Sequence, residues 1–249
     1  MRTNRMPGVR GGFAAKKGRR AAEKTRPAHA PRPILHANAL ASEPAARGGN
    51  ITAAARALKG ADMERPLYIP VILGTPRKGR ASENVARFVL GEVERRAGVE
   101  TELIDVRELP LPHGDEGESV KDSDFSAKMS RADALVVVVP EYNHGYPGAL
   151  KHALDSNLKE YIHKAVGLCG VSAGGFGGAR VIENLLPVMR ELGLVTIFWD
   201  GNFSAAHNLF DGSGKILDDA YARRLDQFLK ELIWMARTLR HGRENIPLG

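Results

Sequence analysis

The chain has 249 residues, 43% of them hydrophobic, with one cysteine and a formal net charge of +7. That length and apolar content suit one domain with an extension, or two small domains. The longest apolar run, near Ala134–Pro140, falls far short of the roughly 20 residues a membrane span requires, and a lone Cys169 excludes an internal disulfide or a cysteine zinc cluster, which fits a reducing, cytoplasmic setting.

The charge is unevenly placed. Residues 1–60 contain 13 of the 36 basic and 2 of the 29 acidic residues, so residues 61–249 hold 23 basic against 27 acidic, a net of −4. A mildly acidic domain argues against a nucleic-acid-binding fold. Residues 1–64 read as a basic, disordered extension ahead of a domain over 65–249. The segment is rich in Ala, Arg, Gly and Pro, as in Lys16-Lys17-Gly18-Arg19-Arg20, and only Ile51–Leu58 has any helical periodicity. Such a composition cannot offset its ordering entropy. It lacks the apolar stretch of a secretory signal, and Met63 offers an alternative start. An organellar transit peptide and a nucleic-acid-binding arm are the other readings of its arginines.

From Leu67 the pattern changes. Leu67–Leu73 reads as a buried strand, Glu83–Ala97 as a helix with Val85, Phe88, Val89 and Val93 on one face, and Glu102–Val106 as a second strand. Asp115–Asp124 is polar and reads as a loop, and Ser123–Arg131 as a short helix capped by Ser123 or Asp124. The β-branched run Ala134–Val139 predicts a strand buried on both faces, as in a parallel sheet. Pro147–Asn157 reads as a helix with proline in its first turn, Ala165–Val171 as a strand, Ala179–Leu192 as a helix and Val195–Trp199 as a fifth strand. Asn202–Gly214 is irregular, and Asp218–Leu239 is a long closing helix. Leu185, Leu186, Met189 and Leu192 read as core or interface, and Trp199 and Trp234 as packing residues. Strands alternating with helices predict βαβ units and a doubly wound α/β sheet.

Such sheets bind ligands beyond the carboxyl ends of their strands, which directs attention to the turns after Leu73, Val139 and Val171. The first, Gly74-Thr75-Pro76-Arg77-Lys78-Gly79-Arg80-Ala81-Ser82-Glu83-Asn84, offers backbone N–H groups, hydroxyls and positive charge at a helix start, the makings of an anion site. It nearly matches a nucleotide-triphosphate loop, but Arg80 replaces the lysine and Ala81 the metal-binding hydroxyl, so a metal-dependent NTPase is disfavoured. A terminal phosphate monoester suits what remains, with Thr75, Ser82 and Asn84 donating and Arg77 adding charge-assisted bonds. The alternative is a polar turn in which Ser82 is only a helix cap.

The second turn continues Pro140-Glu141-Tyr142-Asn143-His144-Gly145-Tyr146-Pro147-Gly148-Ala149-Leu150-Lys151-His152-Ala153-Leu154-Asp155. Together with the Gly-Thr-x-Arg and Ser-x-Asn elements of the first turn, it resembles the NADPH-dependent FMN reductase family of quinone, azo-compound and chromate reductases, from about Leu67 to about Arg237. The resemblance implies a flavodoxin-like, five-stranded parallel sheet that binds FMN, with NAD(P)H as co-substrate. It also implies that Pro140, Glu141, Tyr142 and Asn143 follow the edge of the flavin ring, with Tyr142 or Tyr146 bordering it. The third turn, Ser172-Ala173-Gly174-Gly175-Phe176-Gly177-Gly178-Ala179-Arg180, is no dinucleotide fingerprint, because Arg180 stands where the last glycine belongs. In the resembled family a similar turn lies against the flavin, which assigns Ser172, Gly174 and Gly175 to the cofactor.

The function so implied is hydride transfer from nicotinamide through FMN to a quinone, free flavin or similar acceptor, in a homodimer or homotetramer. No catalytic side chain is required, because the cofactor carries the chemistry. No metal, membrane or nucleic-acid partner is expected. A flavodoxin-type one-electron carrier is the alternative.

Overall fold

The computed structural model describes residues 65–111 and 121–249. The extension 1–64, with the Ile51–Leu58 stretch, and most of the expected Asp115–Asp124 loop lie outside the described residues.

Among the described residues, eight short strands line up as five. β1 (Leu67–Tyr68) and β2 (Val71–Leu73) are one predicted strand divided at Ile69-Pro70, because proline has no N–H for the ladder. Beside them run β3 (Val99–Glu100) and β4 (Leu103–Asp105), and N–H bonds of 2.9 Å from Ile69 to Glu100 O and from Val71 to Glu102 O carry the ladder across the break. β5 (Ala134–Pro140) and β6 (Lys164–Val171) are buried along their whole lengths. The fifth line is divided too: β7 (Leu194–Thr196) pairs with the first half of β6 and β8 (Gly201–Phe203) with the second. All pairings between these strands are parallel, and the order β4-β2-β5-β6-β7/β8 is the flavodoxin-like arrangement.

Helices cover both faces. α1 (Ser82–Glu94) and the long α5 (Ala220–Asn245) pack on one side, and α2 (Ser123–Arg131), α3 (Gly148–Asp155) and α4 (Ala179–Glu191) on the other. β5 shows why an uninterrupted apolar run is needed: Val136 and Val138 face the α1/α5 layer, while Leu135, Val137 and Val139 face the other. Each buried valine contributes about 1.5–3 kcal/mol.

Several local expectations are corrected. The cap of α2 is Asp122, whose carboxylate accepts from Phe125 N–H at 2.7 Å, one residue before the two expected. Pro147 is the cap residue of α3 rather than its first turn. Val195–Trp199 is a strand only as far as Thr196, and β8 was not expected at all. Phe198 and Trp199 instead form an exposed edge-to-face pair, 82% and 46% exposed, and Trp234 is 61% exposed, so neither tryptophan belongs to the core. Leu185, Met189 and Leu192 are buried. No helix among the described residues is long and apolar enough to cross a membrane.

Candidate functional site

Because β2, β5 and β6 are adjacent and parallel, with Leu73 opposite Val138 and Pro140 opposite Val171, their three following turns emerge at one edge. The first turn leaves β2 with Gly74 N–H donating to Val138 O at 2.9 Å. Thr75 is fully buried, and its Oγ1 lies 3.2 Å from the Tyr142 hydroxyl of the second turn. Arg77 stands over the same tyrosine, its guanidinium carbon 5.4 Å from the ring centre. Thr75, Arg77 and Tyr142, 67 residues apart in sequence at the extremes, are thus brought together.

Arg80, at the lysine position of the near-match to a nucleotide loop, turns inward. Its side chain is 2% exposed and bonds the Thr75 carbonyl, Asp105 and Glu83. Burial works against its charge, but Asp105 more than offsets this and the guanidinium is more basic than usual. Burial would likewise lift the Asp105 carboxyl, yet Arg80 and the Arg107 N–H hold it below the ordinary carboxylate range. Arg107 also donates to Pro76 O at 3.0 Å and to Arg77 O at 2.7 Å, bracing the turn from β4's end. Arg80 therefore shapes the turn, and Asp105 and Arg107 are supports that no local motif signals.

Ser82 opens α1. It does not act as the helix cap: the cap residue is Ala81, which has no side-chain bond. Ser82 is 1% exposed, and its Oγ is buried without a hydrogen-bond partner. A hydroxyl so placed costs about 1–3 kcal/mol until an acceptor reaches it. Asn84 behaves differently. It is exposed and lines a cavity of about 650 Å³ between α1 and residues 211–216.

The second turn is built on a two-residue reversal. Tyr142 and Gly145 exchange N–H bonds of 2.9 Å in both directions, and the central Asn143 and His144 have φ of 51° and 68°. Paired positive φ values mark a type I′ turn, which asparagine tolerates well. The α4 helix secures it: Asn184 donates to His144 O at 2.7 Å, and Arg180 bonds Glu141 Oε1 at 3.2 Å. The Glu141 side chain is 9% exposed and its Oε2 is buried without a partner. Glu141 N–H donates to Val171 O at 2.8 Å, joining the second and third turns. Neither Arg180 nor Asn184 could be singled out from sequence, because their partners lie about 40 residues away.

In the third turn, Ser172 uses its hydroxyl internally, donating to Gly174 O at 2.9 Å. The main chain of Phe203–Ala206 holds the turn from outside through Ser172 N–H to Phe203 O and through Ala205 N–H to Gly174 O, both 3.0 Å. The glycines divide into two kinds. At Gly178, with φ of 75°, a Cβ would meet Val171 N at 2.5 Å, so glycine is obligatory for the fold. At Gly174 and Gly175 a Cβ would meet nothing within 4 Å. These two are exposed at the mouth, where an absent side chain leaves backbone accessible. Phe176, 67% exposed, lies under the Arg180 guanidinium at 4.5 Å.

A doubly wound parallel sheet of this strand order, with three turns gathered beyond the carboxyl ends of β2, β5 and β6, is flavodoxin-like. The sequence pattern of NADPH-dependent FMN reductases matches residues 67–207. The chain belongs to that family, which makes it an oxidoreductase with FMN as cofactor and a reduced nicotinamide nucleotide as co-substrate. It is 32% identical over 175 residues to the NAD(P)H-dependent FMN reductase of Pseudomonas aeruginosa, a match covering 67% of this chain and 94% of that protein. It is 36% identical over 126 residues to the NADPH azoreductase of a Bacillus species, covering 48% of this chain and 66% of that protein, just under two thirds. The flavoenzyme NAD(P)H:acceptor oxidoreductase FerB of Paracoccus denitrificans shares the fold, with a TM-score of 0.59 at 22% identity, covering 69% of this chain and 98% of that one.

Proposed function

We propose that residues 65–249 form an NAD(P)H-dependent FMN reductase that passes electrons to a small oxidised acceptor: a quinone, free flavin, azo compound or chromate. When bound, FMN supplies the hydride chemistry between nicotinamide and acceptor. The protein contributes binding, orientation and the exclusion of water. In this reading Thr75, Arg77 and Ser82 take the phosphate. Asn84 is the outlying member of that set, since it stands exposed in the neighbouring groove. Pro140, Glu141, Tyr142 and Asn143 run along the ring edge, and Ser172, Gly174 and Gly175 line its remaining side.

The observation that carries the reading is Ser82. A hydroxyl sealed from solvent without a partner, in the first turn of a helix that follows a turn carrying a buried threonine and a basic Arg77, is completed by a phosphate oxygen. The family match favours a reductase over a one-electron carrier. A cytoplasmic dimer or tetramer is part of the proposal, and the exposed Phe198, Trp199 and Trp234 supply apolar surface for a subunit contact.

The test is direct. The purified protein is expected to be yellow and to release FMN on denaturation. In anaerobic titration NAD(P)H bleaches it in one step, whereas a carrier pauses halfway. A colourless protein that ignores added FMN ends this reading.

A further inference from the structure

Phe176 and Arg180, at the end of the third turn, are left unused by the flavin reading. The Arg180 guanidinium lies over the Phe176 ring at 4.5 Å. Among the described residues Glu141 is the one acceptor of its N–H groups, through Oε1 at 3.2 Å. The main chain is held as well, since Asn184 donates to Arg180 O at 2.8 Å. A guanidinium carries five N–H donors in a rigid fork, and this side chain is 43% exposed, so most of its donors face no protein group. The fold gains little from the arrangement. Phe176 is exposed, an ion pair open to solvent stabilises weakly, and a positive charge in the first turn of a helix opposes the helix dipole. That turn of α4 has no acidic residue, and Gly178 before it supplies no side-chain cap. The cation and the first N–H groups of the helix thus call for the same complement, a negative charge from outside the protein. Gly174 and Gly175 leave room for it, because a Cβ at either would meet nothing within 4 Å.

We infer that Arg180, seated on Phe176, binds the pyrophosphate of the nicotinamide nucleotide, an inference that rests on the reductase reading above and names the anchor of its co-substrate. The phosphate of the flavin is accounted for at the turn after β2, so the anion wanted here belongs to another ligand. In the reductase reading Gly174 and Gly175 line the flavin ring, and nicotinamide must lie on that ring for hydride to pass. The pyrophosphate is the first anion along the nucleotide from nicotinamide, whereas the 2′-phosphate of NADPH sits at the far, adenosine end. An anchor on the same turn as Gly174 and Gly175 therefore meets the group that NADH and NADPH share. Glu141 fixes one N–H of the guanidinium and Phe176 one of its faces, so part of the ordering cost is met before the nucleotide arrives. The remaining donors suit phosphate oxygens, which a guanidinium binds through paired, charge-assisted bonds.

The experiment compares the full-length, flavin-loaded protein with Arg180→Gln. Steady-state rates with NADH and with NADPH use a soluble benzoquinone as acceptor. Calorimetry with ADP-ribose, which carries the pyrophosphate and cannot react, reads binding without turnover. The expected result is a KM raised about tenfold for both nucleotides, with kcat changed by less than about twofold and ADP-ribose binding weakened about tenfold. FMN affinity of the flavin-stripped protein changes by less than about twofold. Arg180→Lys recovers part of the loss, because it restores the charge but not the fork. Phe176→Ala, which removes the platform under the guanidinium, raises the same KM about two- to fivefold, and it carries the test if Arg180→Gln does not fold. Unchanged KM and ADP-ribose affinity would mean that Arg180 only braces Glu141, and they overturn the inference. A loss confined to NADPH moves the contact to the 2′-phosphate and overturns it too, as does an equal weakening of FMN. A wild-type protein that ignores FMN removes the reductase reading and this inference with it, whereas tight FMN binding with nucleotide affinity intact in the variants removes only the role given to Arg180.

Discussion

At the amino end of the sheet, Asp133 is fully buried and bonded by Arg65 at 2.8 and 2.9 Å, by Tyr68 N–H at 3.1 Å, and by Arg243 and Arg240 at 3.3 and 3.5 Å. Close by, Lys164 donates to the last carbonyls of α2, Met129 O at 2.5 Å and Ser130 O at 2.7 Å. At the carboxyl end, Ser82 Oγ and Glu141 Oε2 are equally buried and have no partner. The charged groups of the amino end are spent on the fold, although the Tyr161 hydroxyl just before β6 is buried there without a partner, whereas the carboxyl end holds a hydroxyl and a carboxylate oxygen open for a ligand. In a parallel sheet every strand points the same way, so the two roles separate cleanly onto opposite edges.

The comparison is broken most severely by Asp133→Asn, which removes the carboxylate that three guanidinium groups share. We expect a loss of about 3–5 kcal/mol in urea unfolding, with flavin affinity of the surviving folded protein unchanged. Next in size, Gly178→Ala places a methyl against Val171 N in a left-handed conformation, and a loss of about 2–3 kcal/mol is expected. Gly175→Ala, where nothing lies within 4 Å, stays within about 0.5 kcal/mol by thermal melting. Equal costs at the two positions would contradict the division of that turn into a packed half and an open half.

Ser82→Ala sharpens the contrast further. Removing a buried, unpartnered hydroxyl stabilises the flavin-free protein by about 1 kcal/mol while weakening FMN binding about tenfold, effects of opposite sign that a simple packing residue would not give. The smallest effect concerns pH. Burial pushes the Lys164 ammonium down to about 8, helped by Arg243. The folded state therefore gives up this proton before the unfolded chain does, so stability rises between about pH 8 and 10.5. The two carbonyls that accept from the ammonium favour its charged form, so the gain is smaller than burial alone would give. Denaturant midpoints across this window should lose that rise in Lys164→Met.

Much of the architecture was legible because its signals are local. The run Ala134–Val139 could only be a strand covered on both faces, and the periodicity over Ser123–Arg131 gave that helix its full extent. β8 was not legible: Gly201-Asn202-Phe203 has no apolar run, and it is a strand only because the second half of β6 lies open beside it. Its one sequence signal is Phe203, a lone aromatic that proves to be core.

The site divides in the same manner. Its three turns could be found from sequence, since glycine, hydroxyl and proline-flanked segments after apolar strands are local patterns, and the motif they carry names the family. Which groups meet was not written there. That Arg80 turns inward to Asp105, that Arg180 and Asn184 grip the second turn, and that the Tyr142 hydroxyl reaches Thr75 rather than standing free all follow from strand order. Residues 25 to 67 positions apart become neighbours only when the sheet aligns the ends of β2, β5 and β6. Local sequence sets backbone propensity and chemistry, but hydrogen-bond partnership across such distances is decided by packing.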